Sequence, residues 1–326
     1  MRTAVIGTGA VGLRAARQLH ESDGVDAVRI VARNPARAEW VANELGARAE
    51  RAEWPAVVGD VDVLVLAVPE EMQADMARAA VGEGTHVVST AASIEAVDGI
   101  VGLDARARVA ARSAVAGVAM SPGLSCLLAL HAGRDLDIVE EIHVAKAGTG
   151  GPACARATHA SLRGPAASWR DGRWQSELAG SGRELCFFPE PVGGLDCYAT
   201  SSAEAALLTA AFPTARRVTA RLAATRRDKA TSWLPMLRPP HPEGLIGGVR
   251  VEVRGFAGGK AQTHIVGAVD RPAIVAGTLA AMVAVACGNA ELRPGAGGLG
   301  VLAKDPGELL ARLADRGVKV AAFVGS

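Results

Sequence analysis

A chain of 326 residues, 49% of them hydrophobic, is long enough for two domains and can bury a core in each. Its formal net charge is +1 and its Lys and Arg residues are scattered, which excludes a basic footprint for nucleic acid. Five cysteines (Cys126, Cys154, Cys186, Cys197 and Cys287), odd in number and without CxxC spacing, argue against a disulfide scaffold or a structural zinc site and for reduced thiols in the cytoplasm.

The first third alternates strand and helix. Apolar strands are expected at residues 3–7, 27–32, 61–68, 86–90 and 114–120, with helices at 10–21, 38–45, 71–81 and 104–112. Residues 61–68 form a continuous apolar run, as in a parallel strand covered on both faces. The repeated units predict an α/β fold with a Rossmann-type doubly wound parallel sheet. The N-terminus passes straight into glycines and lacks the apolar stretch of a signal peptide.

After Gly133 the pattern changes to a second, mixed α/β domain with an antiparallel sheet. Residues 138–146 alternate as a strand. Trp169 and Trp174 flank an Asp171-Gly172 turn, and residues 249–255 and 260–269 read as a hairpin. Residues 235–242 form a proline-rich loop. The longest apolar run, 273–287, is shorter than the ~20 residues a bilayer requires and reads as a buried helix between Pro272 and Gly288, so no membrane partner is expected. The closing segment, 305–323, reads as a helix and a strand that return to the first domain. The expected division is therefore 1–122 plus about 271–326 for the nucleotide domain and about 123–270 for substrate binding and a homodimer contact.

Gly7-Thr8-Gly9-Ala10-Val11-Gly12 follows a strand and opens a helix, as a dinucleotide site requires. The first glycine permits the tight turn, the second admits the pyrophosphate, the third lets helix and strand pack, and the helix N-terminus faces the phosphates. At the tip of the second strand, where an NAD enzyme places a carboxylate for the ribose hydroxyl, stand Arg33, Asn34 and Arg37. A guanidinium binds a 2′-phosphate that a carboxylate repels, so NADP(H) is expected over NAD(H), with Arg33 as selector. Ligands of such sheets lie at the carboxyl ends of the strands, which adds Ala67, Val68, Pro69, Thr90, Ala91 and Ala92 to the cofactor set.

Missing residues remove other chemistries. Tyr198, the only tyrosine, has Ser202 four positions on rather than a lysine, so a Tyr–Lys acid pair is absent. Thr90-Ala91-Ala92-Ser93 holds no Glu-Lys-Pro of the glucose–fructose oxidoreductase type, and no Cys/His cluster offers a zinc site. What remains is hydride transfer needing little acid–base help, for which an iminium is suited. In the second domain the candidates are Lys146 before a glycine loop, His159, Arg163 and Trp233. His159 and Arg163, four apart, are expected on one helix face, to bind a carboxylate and move a proton. Trp233 is either a lid or a packing residue, and Ser121 either a helix N-cap or a substrate contact.

Four stretches resemble the saccharopine dehydrogenase-like family of reductases: residues 5–12, Gly117-Val118-Ala119-Met120-Ser121-Pro122-Gly123-Leu124-Ser125, Phe188-Pro189-Glu190-Pro191-Val192-Gly193-Gly194, and residues 276–281 with Pro294-Gly295 and Arg316-Gly317-Val318. The resemblance implies an NAD(P) domain, a second α/β substrate domain, and chemistry at a carbon–nitrogen bond of an amino acid-like small molecule. It departs at Ser121, where saccharopine reductases carry an Asp before the Pro-Gly turn. A serine orients a substrate but is no ordinary acid near neutral pH. His159, Ser121 and Lys146 are the resulting catalytic candidates. Two other readings stay open: a carbonyl reductase with His159 or Lys146 as proton donor, and an NADP-binding sensor without turnover.

Overall fold

The computed structural model describes residues 1–236 and 239–323, with the last two by backbone only. Positions 237 and 238 of the expected proline-rich loop lie outside the described residues. The chain divides into two compact units, one of Met1–Ala119 with Ala273–Asp305, the other of Met120–Pro272 with the chain from Pro306 on.

The first unit opens with β1 (Arg2–Ile6), α1 (Ala10–Glu21) and β2 (Ala27–Val31). Helix α1 buries Gly12, Ala15, Ala16 and Leu19, one stripe at helical spacing. Next comes α2 (Pro35–Leu45), started by Asn34, whose side chain accepts the Arg37 N–H, and by Pro35 at its first position. Strand β3 (Ala49–Arg51), not expected from the residue pattern, precedes β4 (Val63–Leu66), whose four residues are all buried. Then follow α3 (Glu70–Gly82), β5 (His86–Ser89), α4 (Ile94–Val101), α5 (Asp104–Val109) and β6 (Ser113–Val115).

The second unit begins with α6 (Leu124–Gly133), β7 (Ile138–Ala147) and α7 (Pro152–Ala160). Strands β8 (Pro165–Arg170) and β9 (Arg173–Leu178) form the tryptophan hairpin. Its two turn residues, Asp171 and Gly172, have φ of 50° and 76°, the left-handed pair a two-residue hairpin needs. The Trp169 and Trp174 rings meet edge to face at 5.2 Å. After β10 (Glu184–Phe187) and β11 (Gly194–Ala199) come α8 (Glu204–Ala211), β12 (Arg217–Ala223) and α9 (Arg226–Thr231). The long hairpin is β13 (Gly247–Ala257) with β14 (Lys260–Asp270). The chain then returns to the first unit with α10 (Pro272–Gly288), β15 (Gly295–Gly297) and α11 (Leu299–Leu302). It ends with α12 (Pro306–Asp315) and β16 (Lys319–Phe323).

The first sheet has seven strands in the order β15-β6-β5-β4-β1-β2-β3, and every pairing is parallel. The order reverses between β1 and β4, which opens a crevice at their carboxyl ends. Helix α10 packs tightly on α1: a Cβ on Gly277 would lie 2.7 Å from the Val11 carbonyl oxygen and 2.6 Å from Arg14 Cβ. The second sheet runs β10-β11-β12-β7-β13-β14-β16, with β8 and β9 attached through β12. It is mixed, since β7 runs parallel to β12 and antiparallel to β13. The terminal helix and strand correct one expectation. Helix α12 packs on α6 and β16 pairs antiparallel with β14, so residues 306–323 complete the second sheet rather than return to the first. Among the described residues no helix is long and apolar enough to cross a membrane.

Candidate functional site

The nucleotide-binding turn follows from where a Cβ does and does not fit. Gly7 has φ of 109°, and a Cβ there would overlap the Ala67 carbonyl oxygen. At Gly12 a Cβ would collide with the Gly7 carbonyl oxygen. Both glycines are therefore demanded by the fold itself, the first by the turn against β4 and the second by close packing of α1. Gly9 differs. It is exposed, its φ of −75° suits any residue, and a Cβ would meet nothing within 4 Å. The fold does not require a glycine there, and the missing side chain leaves open space on the outside of the turn. Gly9 is also the N-cap of α1. No side chain caps that end and its first turn holds no acid, so the leading N–H groups face outward. Thr8, Ala10 and Val11 are each partly exposed beside it. These residues fit the diphosphate of a dinucleotide.

The rim of the crevice is held rigidly. Buried Gln73 donates to the Val68 carbonyl at 2.8 Å and accepts from Ser89 Oγ at 2.7 Å, which in turn accepts the Ala91 N–H at 3.2 Å. Glu70 accepts the N–H groups of Ala92 at 3.2 Å and Ser93 at 2.8 Å, and Thr90 Oγ1 donates to the Leu66 carbonyl at 2.9 Å. Ala67, Val68 and Pro69 after β4, and Thr90, Ala91 and Ala92 after β5, are thus stitched into one edge, with Ala91 fully buried and Pro69 exposed. At the tip of β2, the three polar candidates separate. Asn34 caps α2, and the Arg37 guanidinium lies 4.2 Å from the centre of the Trp40 ring. Arg33 is exposed and forms no ion pair among the described residues.

In the second unit, Ser121 and Lys146 come together around a residue that sequence reasoning missed. The N-cap of α6 is Gly123, which corrects the N-cap reading of Ser121. The Ser121 hydroxyl instead donates to Glu204 Oε2, and Ser125 Oγ donates to Glu204 Oε1 at 2.6 Å. Cys126 Sγ stands 3.9 Å from the same oxygen. Glu204 opens α8 and is wholly buried, so its carboxyl sits against the first turn of α6, where the helix dipole is positive. Burial pushes its pKa above the usual carboxylate range, while the two serine hydroxyls and the charge of Lys146 oppose the rise. Burial and the neighbouring Glu204 push the Cys126 thiol up strongly. Lys146 lies on β7 on the same face as buried Ile142 and Val144, and its Nζ is 3.5 Å from the Ser121 carbonyl oxygen.

The remaining candidates stand apart from that group. Helix α7 ends at Ala160, so His159 and Arg163 do not share a helix face, a second correction. Ser161 caps the helix and Gly164, at φ of 78°, turns the chain away. His159 Nε2 is 3.0 Å from the Thr231 carbonyl, and Arg163 is exposed. Trp233 is 68% exposed, which rules out core packing, and its Nε1 donates locally to the Ala230 carbonyl at 2.9 Å. No hydrogen bond or ion pair among the described residues links His159, Arg163 or Trp233 to the Glu204 group.

Together these features define a two-domain protein built on a Rossmann-type parallel sheet, with a buried polar cluster in a separate mixed-sheet unit. Comparison with known proteins supports that class. Residues 1–90 match the model of an oxidoreductase family with an NAD-binding Rossmann fold. A 4-carboxy-2-hydroxymuconate-6-semialdehyde dehydrogenase of Sphingobium sp. is 35% identical over 89 residues, 27% of this chain and only 28% of that protein. Over the whole length, the fold is similar to that of solved dehydrogenases. The saccharopine dehydrogenase (L-Glu forming) of Saccharomyces cerevisiae superposes with a TM-score of 0.70 at 14% identity, covering 99% of this chain and 100% of that one. The DAP dehydrogenase of C. glutamicum, solved with DAP, gives 0.54 at 17% identity, covering 98% and 99%.

Proposed function

We propose that the protein is an NADP-dependent oxidoreductase acting on a carbon–nitrogen bond of an amino acid-like small molecule, by imine reduction or the reverse amine oxidation. The observation that carries the cofactor reading is the uncapped turn at Gly9, whose missing side chain leaves open space, combined with an unpaired Arg33 at the tip of β2. The open turn accepts a diphosphate, and Arg33 accepts the additional 2′-phosphate. When bound, the nicotinamide supplies or accepts a hydride. The chain's own residues hold the cofactor against a rim fixed by Gln73 and Glu70, and Ser121 and Lys146 offer a hydroxyl and an ammonium group to a polar substrate. The carbon–nitrogen assignment is supported by the fold shared with saccharopine and DAP dehydrogenases and by the absence of a Tyr–Lys acid pair. His159 and Arg163 keep a proposed part in substrate binding, as separate groups.

One observation favours a second reading. A relative matched over 89 residues is a 4-carboxy-2-hydroxymuconate-6-semialdehyde dehydrogenase, which points to a carbonyl substrate on the same scaffold. Oxidation of NADPH with cyclic imines and amine–keto-acid pairs, set against simple aldehydes, separates the two. Turnover confined to the nitrogen compounds is the expected result, and turnover confined to aldehydes would replace the first reading with the second.

A further inference from the structure

A wholly buried carboxyl group is costly to retain, and Glu204 is 0% exposed. Its polar neighbours are Ser121, Ser125 and Cys126, and the charged group acting on it is Lys146 of β7. Ser125 is 0% exposed and Cys126 1%, whereas Ser121 is 8% exposed. A proton on Glu204 therefore has one hydrogen-bonded way out toward solvent or a ligand, through the Ser121 hydroxyl. Tying α8 to the first turn of α6 would need only a neutral acceptor, so the tie alone does not explain a carboxyl group here.

We propose that Glu204 is the proton reservoir of the site and acts through Ser121. As the Ser121 oxygen takes a proton from the substrate nitrogen, its own proton passes to Glu204 Oε2. The carboxylate becomes a carboxylic acid, the serine is unchanged, and no electrons move in the relay; the reverse sequence returns the proton. Glu204 is thus a positioning residue and Ser121 the group that meets substrate. Burial favours the neutral acid, and the charge of Lys146 and the two serine hydroxyls oppose it. This inference rests on the carbon–nitrogen reading above.

The test uses the full chain, NADPH with cyclic imines, and NADP⁺ with amino acids. In the wild type, kcat should follow a single group with a raised carboxyl pKa. Glu204→Gln should lower kcat by about a hundredfold, the low end for a lost acid–base group, and flatten the pH profile while NADPH affinity and thermal stability stay put. Ser121→Asp combined with Glu204→Gln should restore both rate and pH dependence. A Glu204→Gln enzyme with unchanged rate and profile would overturn the relay alone, whereas a wild type inert toward the whole panel would overturn the functional reading and the relay with it. Should Glu204→Gln fail to fold, infrared titration of the wild type against Ser121→Ala decides. A buried carboxyl band that titrates and shifts in Ser121→Ala supports the relay, and one that ignores pH overturns it.

Discussion

Gly9 and Gly12 lie three residues apart in one motif, yet the structure gives them opposite reasons to be glycine. A methyl at position 9 meets nothing within 4 Å and the backbone there suits alanine. Gly9→Ala should therefore fold normally, with a change in stability of at most about 1 kcal/mol from altering an N-cap. With the diphosphate placed as proposed, the same methyl occupies the space it needs. Overfilling a close contact costs about 1–3 kcal/mol, so NADPH should bind roughly five- to more than a hundredfold more weakly. At Gly12 the methyl collides with the Gly7 carbonyl oxygen, a backbone atom that cannot swing aside. Gly12→Ala should lose stability, by about 1–3 kcal/mol or more, and lose binding only because the turn is distorted. Thermal melting and NADPH fluorescence titration on both variants read this out. Unchanged NADPH affinity in a well-folded Gly9→Ala protein would refute the placement of the diphosphate.

Further outcomes are expected. Arg33→Asp should reverse cofactor preference toward NADH, since a carboxylate repels the 2′-phosphate and accepts from a ribose hydroxyl; an unchanged ratio of the two dissociation constants would count against Arg33 as selector. His86 is held down to about 4 by burial and by Arg112, while its Nδ1 accepts the Ser113 N–H at 3.0 Å and so needs a neutral ring. Its folded pKa lies below the unfolded value, so its contribution is complete above about pH 6.5 and is lost as pH falls toward 4, with a slope of up to about 1.4 kcal/mol per pH unit. His86→Asn, which retains an acceptor without the titration, should remove that slope from the denaturation free energy measured across this range. Cys154 is half-buried while Cys126, Cys186, Cys197 and Cys287 are buried, so a water-soluble thiol reagent should modify Cys154 promptly and the others only after unfolding; prompt reaction of several thiols would contradict the packing around β10 and β11.

The nucleotide domain was legible because its signals are local. Gly7 to Gly12 sits between an apolar strand and an amphipathic helix, and the continuous apolar run of β4 reads directly as a buried parallel strand. What was not legible depends on distant contacts. Glu204 begins an ordinary-looking helical stretch, and its partners lie 79 and 83 residues earlier. Only tertiary packing against α6 turns it into a buried acid. Spacing also misled at His159 and Arg163, where i,i+4 geometry holds only if the helix continues, and Gly164 ends that possibility. Strand β16 carries no mark of its destination in its own residues; the packing of α12 on α6 delivers it to the free edge of β14.

The most direct test is calorimetric titration of the purified full-length protein with NADPH and, separately, NADH. A charge-assisted contact from Arg33 is worth about 1.5–3 kcal/mol, so NADPH should bind roughly ten- to a hundredfold more tightly. Absence of binding heat and of displacement by either nucleotide, over several temperatures, would contradict the assignment of the Gly7 turn to a dinucleotide.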